Sequence, residues 1–255
     1  MITFVGAGPG AVDLITVRGM RLLEKADVII YAGSLVNPAL LEYARKDAEI
    51  HDSARLTLPE ITELMIRADR EGKEVVRLHT GEPSLYGAVR EQMDVLDAHG
   101  IRYDSCPGVS ACFGAAAGGN LEFTLPGITQ TLIITRLEGK TAVPEREQMA
   151  LLASHRASMA IYLSAGMLEE LSRELIRGGL EEETPALIVY KATWPEEKRI
   201  SCTVGTLAQA GKENGITKTA VILVGDAMGE TAHERSKLYD PSFSTGYRKA
   251  GGTEG

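Results

Sequence analysis

The chain has 255 residues, of which 44% are hydrophobic, 24% charged and only 5% aromatic. That is the composition of a folded soluble protein, long enough for one large domain or two ordinary ones. A formal net charge of -8 argues against general nucleic-acid affinity and adhesion to an acidic membrane surface, though a local arginine cluster could still hold a small acidic ligand.

The chain enters a short apolar run at Ile2, with no basic segment or apolar signal core before it, and no run reaches the length of a membrane span. A cytoplasmic protein is expected. Gly6-Ala7-Gly8-Pro9-Gly10-Ala11 follows and satisfies G-x-G-x-x-G/A, the pattern of a dinucleotide turn. Its surroundings fit that use badly. Pro9 has no N–H to offer a phosphate, and the next helical pattern begins only at Val17, behind Thr16 as N-cap. The second strand, 28–31, runs into Ala32-Gly33-Ser34 where an acid should meet the ribose. A nicotinamide-dependent oxidoreductase therefore stays only as the rival reading.

Further along, short β-branched runs alternate with longer amphipathic segments, the signature of βαβ units and largely parallel sheets. Strands are predicted at 3–5, 28–31, 48–51, 74–78 and 103–105, with the clearest helices at 59–70 and 84–98. Gly118-Gly119-Asn120 and Pro126-Gly127 read as a hinge. A second series follows, with strands at 131–135, 159–163, 186–190, 199–203 and 221–224 and helices at 145–153, 167–178 and 206–212. The expected organisation is an N-terminal α/β domain over 1–120, a second over 121–240, and a disordered tail over 241–255. Cys106, Cys112 and Cys202 lack metal-ligand spacing, the five histidines form no ligand pattern, and no metal site is expected.

In such sheets ligands meet the C-terminal ends of the strands. Three strand ends are unusual here. His79-Thr80-Gly81-Glu82-Pro83-Ser84-Leu85-Tyr86 combines a glycine for close approach, a carboxylate suited to ribose hydroxyls or an amine, and a proline that starts a helix. It reads equally as an ordinary strand-to-helix loop. In Pro107-Gly108-Val109-Ser110-Ala111, Ser110 either caps the next helix or holds a polar ligand. Tyr162-Leu163-Ser164-Ala165-Gly166 ends a buried strand in small residues, as tight packing or a flat ligand would each require.

Together with Val5 through Gly10, these motifs resemble the tetrapyrrole methylases in order and spacing, from Ile2 to about Gly225. The resemblance implies two α/β domains with mostly parallel sheets, the active site in the cleft between them, and S-adenosylmethionine as cofactor, leaving as S-adenosylhomocysteine. It implies a tetrapyrrole or corrinoid substrate and a homodimer, while the charge balance and the lack of a spanning run predict no nucleic-acid or membrane partner. Tyr31-Ala32-Gly33-Ser34-Leu35-Val36 and the Glu-Pro-Ser form of the Gly81 loop are similar to the subfamily that methylates C-11 of precorrin-4 or cobalt-precorrin-4 in cobalamin biosynthesis. Uroporphyrinogen III methyltransferases typically carry aspartate where this chain has Ala32.

Carried over by position, the cofactor contacts are Pro9, Thr80, Gly81, Glu82, Leu85, Ser110, Ala111, Leu163, Ala192 and Ala220, to which Tyr86 is added for its place beside Leu85. Substrate contacts are expected at Tyr31, Ser34, Arg55 and Arg136, the arginines as partners for peripheral carboxylates. The sulfonium is already electrophilic, so no catalytic nucleophile or base is named.

Overall fold

The computed structural model describes residues 1–251. It divides into two compact units. The first holds Met1–Asn120, Val189–Arg199 and Thr219–Val221, and the second holds Leu121–Ile188, Ile200–Lys218 and Ile222–Gly255.

The first unit is built on β1 (Ile2–Gly6), β2 (Val28–Tyr31), β3 (Glu49–Asp52), β4 (Val75–His79) and β5 (Tyr103–Cys106), in the order β3-β2-β4-β1-β5. Every registered pair in it is parallel. Its central strands β1 and β4 are buried at every residue, as parallel strands covered on both faces require, and the edge strands β3 and β5 are the polar ones. The two-residue period sorts the side chains. Ile2, Phe4, Val28, Ile30 and Val75 pack under α2 (Leu58–Arg70) and α3 (Val89–Ala98). Val5, Ile29, Val76 and Leu78 point the other way, where they meet Leu23 of α1 (Val17–Lys25).

Helix ends follow the local chemistry. Thr16 accepts from the Gly19 amide at the start of α1. Thr57 and Glu60 form a capping box on α2, which closes before Gly72 at φ +74°. The predicted helix over 84–98 is corrected: α3 starts at Val89, and Pro83 begins no helix. Tyr86 and Ala88 are left-handed (φ 56° and 49°), and between them a side chain on Gly87 would strike the Pro83 carbonyl. A local turn therefore replaces the first helical turn.

The second sheet comprises β6 (Leu132–Arg136), β7 (Ser158–Tyr162), β8 (Pro185–Tyr190), β9 (Lys198–Thr203) and β10 (Ala220–Val224), in the order β6-β7-β10-β8-β9. There β6 is parallel to β7, and β10 runs antiparallel to it. The helix α6 (Leu168–Arg177) buries Leu168, Leu171, Ser172 and Leu175, an apolar stripe at helical spacing. Residues 241–251 fold back on the preceding turn, with Arg248 donating to the carbonyls of Leu238, Asp240 and Phe243.

Candidate functional site

In the first unit the chain leaves β1 for α1 on one face of the sheet, and leaves β4 for α3 on the other. Since β1 and β4 are neighbours, their two loops diverge side by side at the C-terminal edge. Such a switch point is where parallel sheets receive ligands.

The two loops are joined by backbone. Gly8 and Gly81 form an isolated antiparallel bridge, in which the Gly81 amide donates to the Gly8 carbonyl at 2.9 Å and the Gly8 amide returns at 3.3 Å. Ahead of it the Ala7 amide donates to the His79 carbonyl at 2.7 Å. The loop after β5 closes in from the other side of β1. A methyl group on Gly6 would lie 2.5 Å from the Gly108 Cα and 2.7 Å from the Gly81 carbonyl oxygen, so the three chains touch with no room for a side chain. Glu82 ties them polarly: it accepts from the Gly108 amide at 2.8 Å and from the Ser84 amide at 3.0 Å. Both carboxylate oxygens thus hold loop backbone, a role beyond the ligand contact expected from sequence.

Pro9 is buried. Its carbonyl accepts from the indole N–H of Trp194 at 3.1 Å, and its ring lies against Gly114 of α4 (Ala111–Gly118). Nearby, Ala11 donates to the Thr193 hydroxyl at 2.9 Å, and Asn37 donates to the Gly10 carbonyl at 2.8 Å. A side chain on Gly10 would meet Trp194 and the Ala192 carbonyl. Ser110, 4% exposed, is the N-cap of α4 and Ala111 its first residue, and both lie just beyond Gly81. The structure thus gathers Pro9, Gly81, Glu82, Ser110, Ala111 and Ala192 around one corner of the unit. Ala220 opens β10, next to Thr219, whose carbonyl accepts from the Lys191 amide at 2.9 Å.

Sequence reasoning missed Asn37, Thr193 and Trp194. The signal was there for the last: it is the chain's single tryptophan, set just past a strand end in Lys191-Ala192-Thr193-Trp194-Pro195.

Thr80, Leu85 and Tyr86 line a cavity of about 320 Å³ beneath the turn after β4. Its floor is polar. Arg77, 4% exposed, donates from Nε to Gln92 Oε1 at 3.0 Å and from Nη1 to the Ile30 carbonyl at 3.1 Å. Burial alone pulls its pKa down to about 10, with no carboxylate opposing the shift. His79, 5% exposed, lies beside it, and its Nε2 has no hydrogen-bond partner. Burial, then the Arg77 charge, pushes the imidazole pKa down to about 3, so it is neutral.

The expected substrate contacts are scattered. Tyr31 packs against the apolar layer of the α1 face, with its carbonyl taken by Ser53. Ser34 and Arg55 are exposed, and neither lines the cavity, whereas Ala32 and Leu35 do. In the second unit Arg136 is committed to its own loop, donating to the carbonyls of Thr141 at 3.0 Å and Ala142 at 2.7 Å. Leu163, just past β7, is left-handed (φ 54°) and 66% exposed. Beside it Ser164 accepts from the Leu137 amide at 2.9 Å and donates to the Tyr162 carbonyl.

Residues 1–208 match the family described as Tetrapyrrole (Corrin/Porphyrin) Methylases. Cobalt-precorrin-4 C(11)-methyltransferase of Methanocaldococcus jannaschii is 50% identical over 98% of this chain and 96% of its own. Precorrin-4 C(11)-methyltransferase of Mycobacterium tuberculosis is 42% identical over 93% and 95%. The X-ray structure of a cobalt precorrin-4 methyltransferase superposes with a TM-score of 0.87 at 46% identity, covering 89% of this chain and 95% of that one. Uroporphyrin-III C-methyl transferase of Thermus thermophilus, complexed with S-adenosyl homocysteine, gives 0.74 at 26%, covering 89% and 97%. With its glycine-lined switch point and these matches along nearly its whole length, the chain is a methyltransferase of the tetrapyrrole methylase family.

Proposed function

We propose that the protein transfers a methyl group from S-adenosylmethionine to C-11 of cobalt-precorrin-4 in cobalamin biosynthesis. The observation that carries this reading is the near full-length identity of 50% and 47% to two cobalt-precorrin-4 enzymes, above the 42% found with a precorrin-4 enzyme. The opening glycine pattern then belongs to this family's first loop, and the nicotinamide reading is not supported.

The residues of the first unit fit the cofactor. Gly6, Gly8 and Gly108 let the loops close on one another, Gly81 leaves its turn bare of a side chain, and Pro9, Ala111 and Ala192 add small apolar surface nearby. Amides and carbonyls of the Gly81 and Ser110 turns can meet the polar parts of a nucleoside and an amino acid, with Thr80, Glu82, Leu85 and Tyr86 on the first of these turns and Ala220 assigned by its position in the family pattern. Bound S-adenosylmethionine supplies a methyl group that is already electrophilic. The chain's own task is then to hold the substrate carbon in line and to exclude water, and positioning of this kind is worth effective molarities of about 10⁵ M or more.

The reading carries with it a cytoplasmic homodimer that acts on a small-molecule corrinoid. The test is incubation with methyl-labelled S-adenosylmethionine and, in parallel, cobalt-precorrin-4, precorrin-4 and uroporphyrinogen III, with the new methyl located by mass and NMR. Label at C-11 of the cobalt-precorrin is expected. Transfer to uroporphyrinogen III alone would refute the assignment.

A further inference from the structure

We propose that Arg77 and His79 form the floor of a carboxylate subsite, which takes one acidic arm of the tetrapyrrole into the cavity beneath the turn after β4. The inference rests on the methyltransferase reading and adds to it the part of the substrate that this cavity recognises.

Position on the strand comes first. Arg77 and His79 alternate with Leu78 on β4, so both face the layer where Phe4 and Ile30 are otherwise apolar. The His79 ring lies 6.1 Å from that of Phe4, centroid to centroid. Two polar side chains have been placed on a face that needed hydrophobic ones, at the strand end nearest the ligand loops.

Hydrogen bonding comes next. Buried polar groups are nearly always satisfied, and each exception in a native protein has to be accounted for. Among the described residues His79 Nε2 is the one buried side-chain atom left without a partner. The Arg77 guanidinium is held by two neutral acceptors, Gln92 and the Ile30 carbonyl, and it lines the cavity with no carboxylate bonded to it. A water molecule would satisfy the imidazole but would leave the cation uncompensated. A carboxylate answers both, with one oxygen on Arg77 and the other on the His79 N–H, and charge-assisted bonds of this kind are the strong ones. Glu91 also lines the cavity but is exposed, where solvent screens its charge.

Size agrees. At about 320 Å³ the cavity sits at the small end of ligand pockets, roughly 300–1,000 Å³. It accommodates one edge of a macrocycle with its arm, and the apolar walls of Leu56 and Ile61 suit the methylenes of that arm.

The test uses uroporphyrin III, a stable tetrapyrrole whose arms end in carboxylates, and the amide derivative of the same ring. Wild type, His79→Gln and His79→Leu are titrated with each, and S-adenosylhomocysteine binding is followed by calorimetry. Wild type is expected to prefer the acid by about tenfold or more. His79→Gln, which keeps a donor, retains that preference, and His79→Leu loses most of it, with S-adenosylhomocysteine affinity unchanged. In turnover His79→Leu raises KM for cobalt-precorrin-4 more than it lowers kcat. Should His79→Leu fail to fold, the ¹⁵N resonances of the wild-type imidazole decide: they shift with the acid probe and stay with the amide. An unchanged acid preference in His79→Leu, equal loss of both probes, or a shift with neither probe overturns the subsite while the methyltransferase reading stands. A wild-type protein that binds neither S-adenosylhomocysteine nor a tetrapyrrole overturns both.

Discussion

Replacing Glu82 by glutamine tests whether the three loops are held as one binding surface. Each carboxylate oxygen accepts one backbone amide, from Gly108 at 2.8 Å and from Ser84 at 3.0 Å. A glutamine can keep one acceptor, but its NH₂ group then faces the other amide, donor against donor. Losing a bond to a charged acceptor is worth about 1.5–3 kcal/mol, and the half-buried position of Glu82 favours the lower part of that range. Roughly 1.5–2 kcal/mol set against ligand binding means an S-adenosylhomocysteine Kd about 10- to 30-fold weaker. Glu82→Asp gives a second point. The shorter side chain still reaches the amide two residues on, as aspartates commonly do, but not the Gly108 amide on the neighbouring loop. Its penalty should match that of glutamine at the cross-loop bond and spare the local one. Calorimetric titration of both variants is the assay. A Glu82→Gln protein that binds the ligand within about twofold of wild type would refute the clamp.

Gly108→Ala should be severe, because the new methyl meets the Gly81 carbonyl and lies 2.8 Å from the Gly6 Cα, backbone that cannot swing aside. A cost at or above the usual range of about 1–3 kcal/mol for overpacking is expected in urea unfolding. Trp194 reports on the Pro9 loop through its bond to the Pro9 carbonyl, so emission from this single tryptophan should change on adding S-adenosylhomocysteine. Trp194→Phe should weaken that ligand by about fivefold, the value of one neutral hydrogen bond. Acid sensitivity follows from His79. Its folded pKa of about 3 lies below the unfolded value of 6.5, so the unfolded chain binds the extra proton between these limits. Its contribution is therefore complete above pH 6.5 and lost progressively as pH falls toward 3. His79→Gln should flatten the acid limb of stability measured from pH 7 to 4. Cys202, whose thiol burial pushes up to about 11, should alkylate far more slowly at pH 8 than a free thiol.

Most of the fold was legible because its signals are short-range. Continuous apolar runs such as Val28–Tyr31 gave the parallel strands, and Thr16 marked a helix start through a bond made within four residues. The turn after β4 was misread for the complementary reason. Nothing in Ser84-Leu85-Tyr86 forbids a helix locally, yet Tyr86 and Ala88 are left-handed, and Glu82 at the head of the turn is bonded to Gly108 on a distant loop. Gly6, Gly8, Gly81 and Gly108 were visible as spacing, but that they touch one another depends on strand order, which spacing does not encode. Thr193 and Trp194 reach Pro9 and Ala11 from more than 180 residues away.

Arg77 and His79 were overlooked for a different reason. A search for chemistry in a sequence looks for side chains able to act as acids, bases or nucleophiles, and a methyl transfer from a sulfonium requires none of them. What it requires is a surface on which backbone can approach a nucleoside, and a way to fix the acceptor ring. The first need is met by glycines, which carry no chemistry of their own. The second, on the subsite inferred above, is met by a cation and a neutral imidazole whose burial is unfavourable until an anion arrives. In the sequence the pair is one strand's alternation with polar residues where apolar ones belong, Val75-Val76-Arg77-Leu78-His79, and that local break in patterning is the trace the subsite leaves.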